Sequence, residues 1–118
     1  MYVNGYILSV AEEKKDAYIA MAKIFAEVAK DFGAIEIFEN WELKVPDGEQ
    51  TDYRRAVKAL PGEKIVFSWV VWPDRKAGAV AHKGMLNDPR MKDMGEMPFD
   101  GKRMIMGGFE PIIAYHQS

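Results

Sequence analysis

The spacing of apolar residues changes period along the chain, and each change marks an element. Tyr2 to Val10 is rich in aromatic and β-branched residues and stops at the charged run Glu12 to Asp16, which predicts a first strand. Tyr18, Met21, Ala22, Phe25, Val28, Ala29 and Phe32 then recur at helical spacing, while Asp16, Lys23, Glu27, Lys30 and Asp31 take the opposite side. Gly33 stands where a left-handed residue ends a helix, and Lys30 sits in the last turn, where the helix dipole favours a cation. Ala34 to Leu43 alternates as a second strand, with Ile35, Ile37, Trp41 and Leu43 on one side and Glu36, Phe38, Asn40 and Glu42 on the other. Glu39 falls on the apolar side.

After a Pro46-Asp47-Gly48 turn, Tyr53 to Leu60 predicts a short additional strand carrying Arg54, Arg55 and Lys58, closed at Pro61-Gly62. Lys64 to Trp72 is apolar on both faces, the pattern of a central strand. Pro73 and Asp74 open a second helix reaching about Asn87, whose expected sheet-facing residues Ala77, Val80, Ala81 and Gly84 are small. Asp88-Pro89 ends it, and Met85, Met91, Met94 and Met97 are scattered through the helix end and the loop beyond. From Met97 a Pro-Phe-Asp-Gly turn delivers Lys102 and Arg103 into a final strand that passes Gly107-Gly108 and continues to Pro111, Ile112, Ile113 and Tyr115. Paired glycines in a strand imply that something packs closely against them.

The resulting order is β-α-β-β-α-β with one extra short strand: an α+β, ferredoxin-like arrangement with both helices on one face of the sheet. The other face needs a cover, and residues 1–118 are expected to form a single domain that supplies none. A homodimer whose sheets meet, forming an α+β barrel, is the expected assembly.

Composition narrows the function. With 16 basic and 18 acidic residues, a net charge of -2 and a pI near 5.7, the chain carries no electrostatic footprint for nucleic acid. The absence of cysteine excludes thiol catalysis, disulfides, thiolate zinc and iron–sulfur clusters. No apolar run approaches the ~20 residues that span a bilayer, and the first residues lack a leader's basic and apolar regions. A cytoplasmic protein without membrane partners is expected. Gly107-Gly108 has no phosphate-loop context, and Ser9, Ser68 and Ser118 lack that of a nucleophile elbow, so no cofactor is expected.

Four groups of residues carry candidate chemistry. Glu39, placed among Ile35, Ile37, Trp41 and Leu43, is a desolvated carboxyl suited to proton transfer, or else a structural ion pair with Arg54 or Arg55. His82 is an acid, a base or a ligand over a cavity, or else an outward-facing residue; His116 belongs to the tail. With only these two histidines, a multi-histidine metal site within one chain is not expected. Asp100, Lys102 and Arg103 bind an anionic ligand at the barrel mouth, or else Asp100-Gly101 forms the turn and the cations bridge to a partner protomer. Trp41 and Trp72, with Trp69, Tyr6, Phe38 and Phe67, line a pocket for a planar molecule or form plain core; Arg55 joins the ligand-binding candidates.

Three strings, Phe67-Ser68-Trp69-Val70-Val71-Trp72, Asn87-Asp88-Pro89-Arg90-Met91 and Met97-Pro98-Phe99-Asp100-Gly101-Lys102-Arg103-Met104 with Gly107-Gly108-Phe109, resemble the uncharacterised bacterial YbaA-type family. The resemblance implies a dimeric α+β barrel and no particular activity. A looser similarity, Trp72 followed ten residues on by His82, points to the superfamily of the antibiotic-biosynthesis monooxygenases, which also includes haem-binding members. Two functions follow. One is a cofactor-independent, monooxygenase-like enzyme acting on a small aromatic molecule in the barrel cavity, with Glu39 or His82 handling protons and Trp72 forming the wall. The other is a non-catalytic small-ligand-binding or stress-associated protein. A cavity of a few hundred cubic ångströms with convergent polar groups separates the first from a filled core.

Overall fold

The computed structural model describes residues 1–117; Ser118 lies outside them. Strand β1 spans Tyr2–Ala11, helix α1 Lys15–Asp31, β2 Glu36–Trp41, α2 Tyr53–Ala56, β3 Glu63–Trp72, α3 Arg75–Leu86, α4 Pro89–Lys92 and β4 Ile105–Phe109. The strands form one antiparallel sheet in the order β2-β3-β1-β4. β1 and β3 are therefore central, as the two-sided apolar pattern of β3 requires.

Helix α1 buries Tyr18, Ala22, Val28 and Ala29 against the sheet. Its end is a Schellman motif: Gly33, at φ 102, donates to the Lys30 carbonyl at 3.0 Å, and Ala34 donates to that of Ala29 at 3.0 Å. Asp74 caps α3 by accepting from the Ala77 amide at 2.7 Å. α3 buries Gly78, Ala81 and Met85, and Val80 points outward. The buried stripe is thus offset by a residue from the expected one, because Gly78, with no side chain, is what fits beneath Trp72 and Tyr2.

Two expected strands change. Tyr53–Ala56 is a helical turn, not an extra strand, because Asp52 accepts from the Arg55 amide at 2.8 Å and so caps a helix. Val57, behind it, is buried. β4 ends at Phe109, so Pro111 to Tyr115 does not prolong it; Pro111 has no amide hydrogen for a ladder. The close packing expected at the paired glycines comes from the chain's own rings. A β-carbon on Gly107 would press on Phe109, and one on Gly108 would overlap Tyr2.

On the helix side, Val28, Ala29, Val70, Trp72, Ala81 and Met85 form one core cluster, and Leu8, Val10, Tyr18, Ala22 and Val66 form another. On the opposite face Phe38 stacks on Trp69 at 5.0 Å and Phe67 meets Trp69 edge-on at 5.6 Å, yet Phe38, Phe67 and Phe109 remain 48%, 41% and 61% exposed. Among the described residues, no helix is long and apolar enough to cross a membrane.

Candidate functional site

Strand register sets a row of polar side chains across the middle of the helix-facing side. Glu39 of β2 is opposite Ser68 of β3, and Ser68 is opposite Tyr6 of β1. Tyr18, the first buried residue of α1, reaches down to this row, and its Oη donates to Glu39 Oε1 at 2.5 Å. Burial pushes the Glu39 carboxyl above its ordinary range, and the Tyr18 hydrogen bond offsets only part of that rise. Both phenols are pushed up as well, first by burial and then by the charge of Glu39, so they stay protonated as donors. The result is a carboxyl titrating closer to neutrality, flanked by hydroxyl groups.

Two cavities share Glu39 and Tyr18 as a common wall. One is a chamber of about 220 Å³, roofed by Met91, Met94, Met97, Phe99 and Met104 from the segment between α3 and β4. The other is a cleft of about 400 Å³, bounded by Ile37 and Trp41 of β2 and by Lys15, Ile19, Ala22 and Lys23 of α1. Lys15 Nζ lies 5.2 Å from the centre of the Trp41 ring.

Ion pairs hold the roof at both ends. Arg90 binds Asp88 and reaches Asp31 at the end of α1 at 2.8 Å. Arg103 places Nη1 and Nη2 on the two Glu63 carboxylate oxygens at 2.8 and 2.9 Å, and its Nε on Asp100 at 3.1 Å. The Arg103 hydrogen bonds pull Glu63 down to about 2. Met97, Phe99 and Met104 are thereby fixed over the chamber.

The sequence candidates divide accordingly. Glu39 and Trp41 line the shared site. Trp72 is buried core, its Nε1 donating to Asn4 Oδ1 at 2.8 Å. His82 is exposed on α3 and lines neither cavity. Arg55 is bound to Asp52 and to the carbonyls of Gly48, Glu49 and Gln50, which hold its own loop. Arg54 pairs with Glu42 rather than Glu39, since the strand expected to carry it beside Glu39 is helix α2. Asp100 caps the single turn Gly101–Arg103 by accepting from the Lys102 amide at 3.0 Å, as expected of the turn, and Lys102 is exposed. Arg103 is engaged within its own chain, so the bridge to a partner expected of it is not needed to satisfy it.

Sequence reasoning did not single out Tyr18 or the methionine roof. The signal for Tyr18 was present, as the one polar-tipped residue in the apolar stripe of α1. A further hollow of about 630 Å³ lies on the open sheet face between Val3, Phe67, Trp69, Ile105 and Phe109. It is larger but mainly apolar; of its ionisable groups Glu36 accepts from Trp69 Nε1 at 2.9 Å, and Glu110 and His116 are exposed on the segment after β4. Among the described residues, no group of three or more His, Asp or Glu is placed to hold a metal ion.

Residues 1–101 match the family described as a protein of unknown function, DUF1428. The chain is 53% identical over 113 residues to the uncharacterized protein YbaA of Escherichia coli strain K12, covering 95% of this chain and 97% of that one. The same identity and coverage hold for YbaA of Shigella flexneri. An uncharacterized NIPSNAP domain protein from Burkholderia xenovorans shares the fold over 100% of both chains, with a TM-score of 0.52 at 10% identity.

Proposed function

Because the chain belongs to the DUF1428 family of unknown function, we propose its role from the site itself: it binds a small, mainly apolar molecule against Glu39 and moves a proton there. The observation that carries this reading is that one half-buried carboxyl, hydrogen-bonded to Tyr18 at 2.5 Å, forms the wall of both cavities. Their volumes of about 220 and 400 Å³ suit a single-ring compound rather than a filled core. Methionine walls adapt to varied apolar shapes.

The chemistry is proton transfer without a cofactor. Glu39 as carboxylate takes a proton from an acidic C–H or O–H of the bound molecule, and the Tyr6 phenol and Ser68 hydroxyl along the same row offer donors to the oxygen that gains charge. In the monooxygenase-like form of this activity dissolved dioxygen is the oxidant: it adds to such an anion, one oxygen atom stays on the carbon as a carbonyl, and the other leaves as water with two hydrogens taken from that same carbon.

A thermal-shift screen of small phenols and aromatic ketones against the native protein and Glu39→Gln tests it. A ligand at 100 times its Kd adds about 2.7 kcal/mol of apparent stability. A hit whose turnover vanishes in Glu39→Gln supports an enzyme. A hit bound equally by both proteins and left unchanged by both reduces the role to binding, and no hit overturns the site.

We also propose that a second copy covers the open sheet face. Exposed Phe38, Phe67 and Phe109 beside the apolar hollow support this. Light scattering should give twice the 13.4 kDa chain mass, and Phe67→Glu should halve it. A native monomer at micromolar concentration overturns this assembly.

A further inference from the structure

The cleft differs from the chamber in charge. The chamber's one ionisable acid, Glu39, is accompanied by phenols and thioethers, whereas the cleft adds two ammonium groups, Lys15 and Lys23, about two turns apart along α1. Neither lysine has a carboxylate partner among the ion pairs of the described residues. Lys15 is drawn instead over the Trp41 ring, which places its charge at the edge of an apolar wall formed with Ile19, Ala22 and Ile37. A group entering this cleft therefore meets an aromatic surface with two cations at its rim and a carboxyl at its inner end.

We infer that the ligand is an amphipathic monoanion, an aryl or short-chain carboxylic acid, whose apolar body lies on Trp41 and Ile37 and whose carboxylate is held by Lys15 and Lys23; the inference rests on the ligand site proposed above. An amine is disfavoured by the same two lysines. A neutral ring of equal size gains only the apolar wall. Holding the anion at the rim keeps it away from Glu39 and directs the opposite end of the molecule inward to that carboxyl.

The test compares 3-phenylpropionate with its neutral amide by NMR titration of amide shifts on the native protein and on Lys15→Gln/Lys23→Gln. Both lysines are exposed, so the double variant should fold, and its unliganded melting midpoint checks that. The acid is expected to bind about fivefold or more tightly than the amide, as a pair of exposed charge contacts allows. The preference should weaken at high salt and vanish in the double variant, with amide binding unchanged. Equal affinity for acid and amide in the native protein, or equal loss of both in the variant, overturns the anion assignment and leaves the Glu39 site standing. Absence of shifts near Glu39 with either probe at millimolar concentration overturns both.

Discussion

Replacing Arg103 with alanine should unfold the roof's anchor at a measurable cost. The guanidinium satisfies both Glu63 oxygens at 2.8 and 2.9 Å, the Lys58 carbonyl at 2.9 Å and Ser9 Oγ at 3.2 Å, and it ties β1, the loop after α2, β3 and the approach to β4 at one point. The two side chains are 19% and 12% exposed. Breaking a fully buried pair costs about 3–5 kcal/mol and an exposed one about 0–1 kcal/mol. This pair is shielded but peripheral, so we expect about 2 kcal/mol, or roughly 8 °C in melting temperature for a chain of this size. The pH dependence has a definite sign. Glu63 is lowered from 4.5 to about 2, so its contribution is complete above the unfolded value and is lost as pH falls through about 2. Urea unfolding of the native protein and Arg103→Ala should therefore show a gap at pH 7 that narrows steadily from pH 4.5 toward pH 3. A gap below about 0.5 kcal/mol at pH 7, within the range of an ordinary surface change, or one that does not change with pH, would refute the reasoning.

Gly108→Ala should destabilise by about 1–3 kcal/mol, because the new methyl overlaps the Tyr2 hydroxyl and forces that ring away from Gly78 and α3; chemical denaturation measures it, and a neutral result means Tyr2 moves freely. Glu39→Gln should change stability in the opposite pH sense to Arg103→Ala. The native carboxyl is raised, so its favourable state is the protonated one below 4.5, and stability is lost as pH rises through the folded value. The variant should therefore gain relative to the native protein as pH rises above about 4.5 in melting scans; a constant difference rules out a raised Glu39.

Much of this arrangement was legible in the sequence because its main elements are strongly periodic. The α1 stripe, Gly33, Asp74 and the two-sided β3 each carry a local physical signal that tertiary packing did not override. Alternation in β2 also singled out Glu39, since a single acid in register with Ile37 and Trp41 must face the helices. Its partner was not legible, for contact across the interior between α1 and β2 depends on how the helix crosses the sheet. The segment Tyr53–Ala56 misled because a short run that opens on an aromatic residue and lies between turn residues fits a strand as readily as a capped turn, and the bond from the Arg55 amide to Asp52 decided the matter. The roof was equally hidden. Scattered methionines have no period, and only the anchoring of Arg90 and Arg103 shows that they converge.

The most direct test of the central claim is the ionisation of Glu39 itself, followed by carbon-13 NMR of its side-chain carboxyl during a pH titration of the native protein and of Tyr18→Phe. The midpoint should lie above 4.5 in the native protein, since burial dominates, and higher still in Tyr18→Phe, where the hydrogen bond that favours the carboxylate is gone. A native midpoint at or below 4.5, or one unmoved by loss of the Tyr18 hydroxyl, would contradict it.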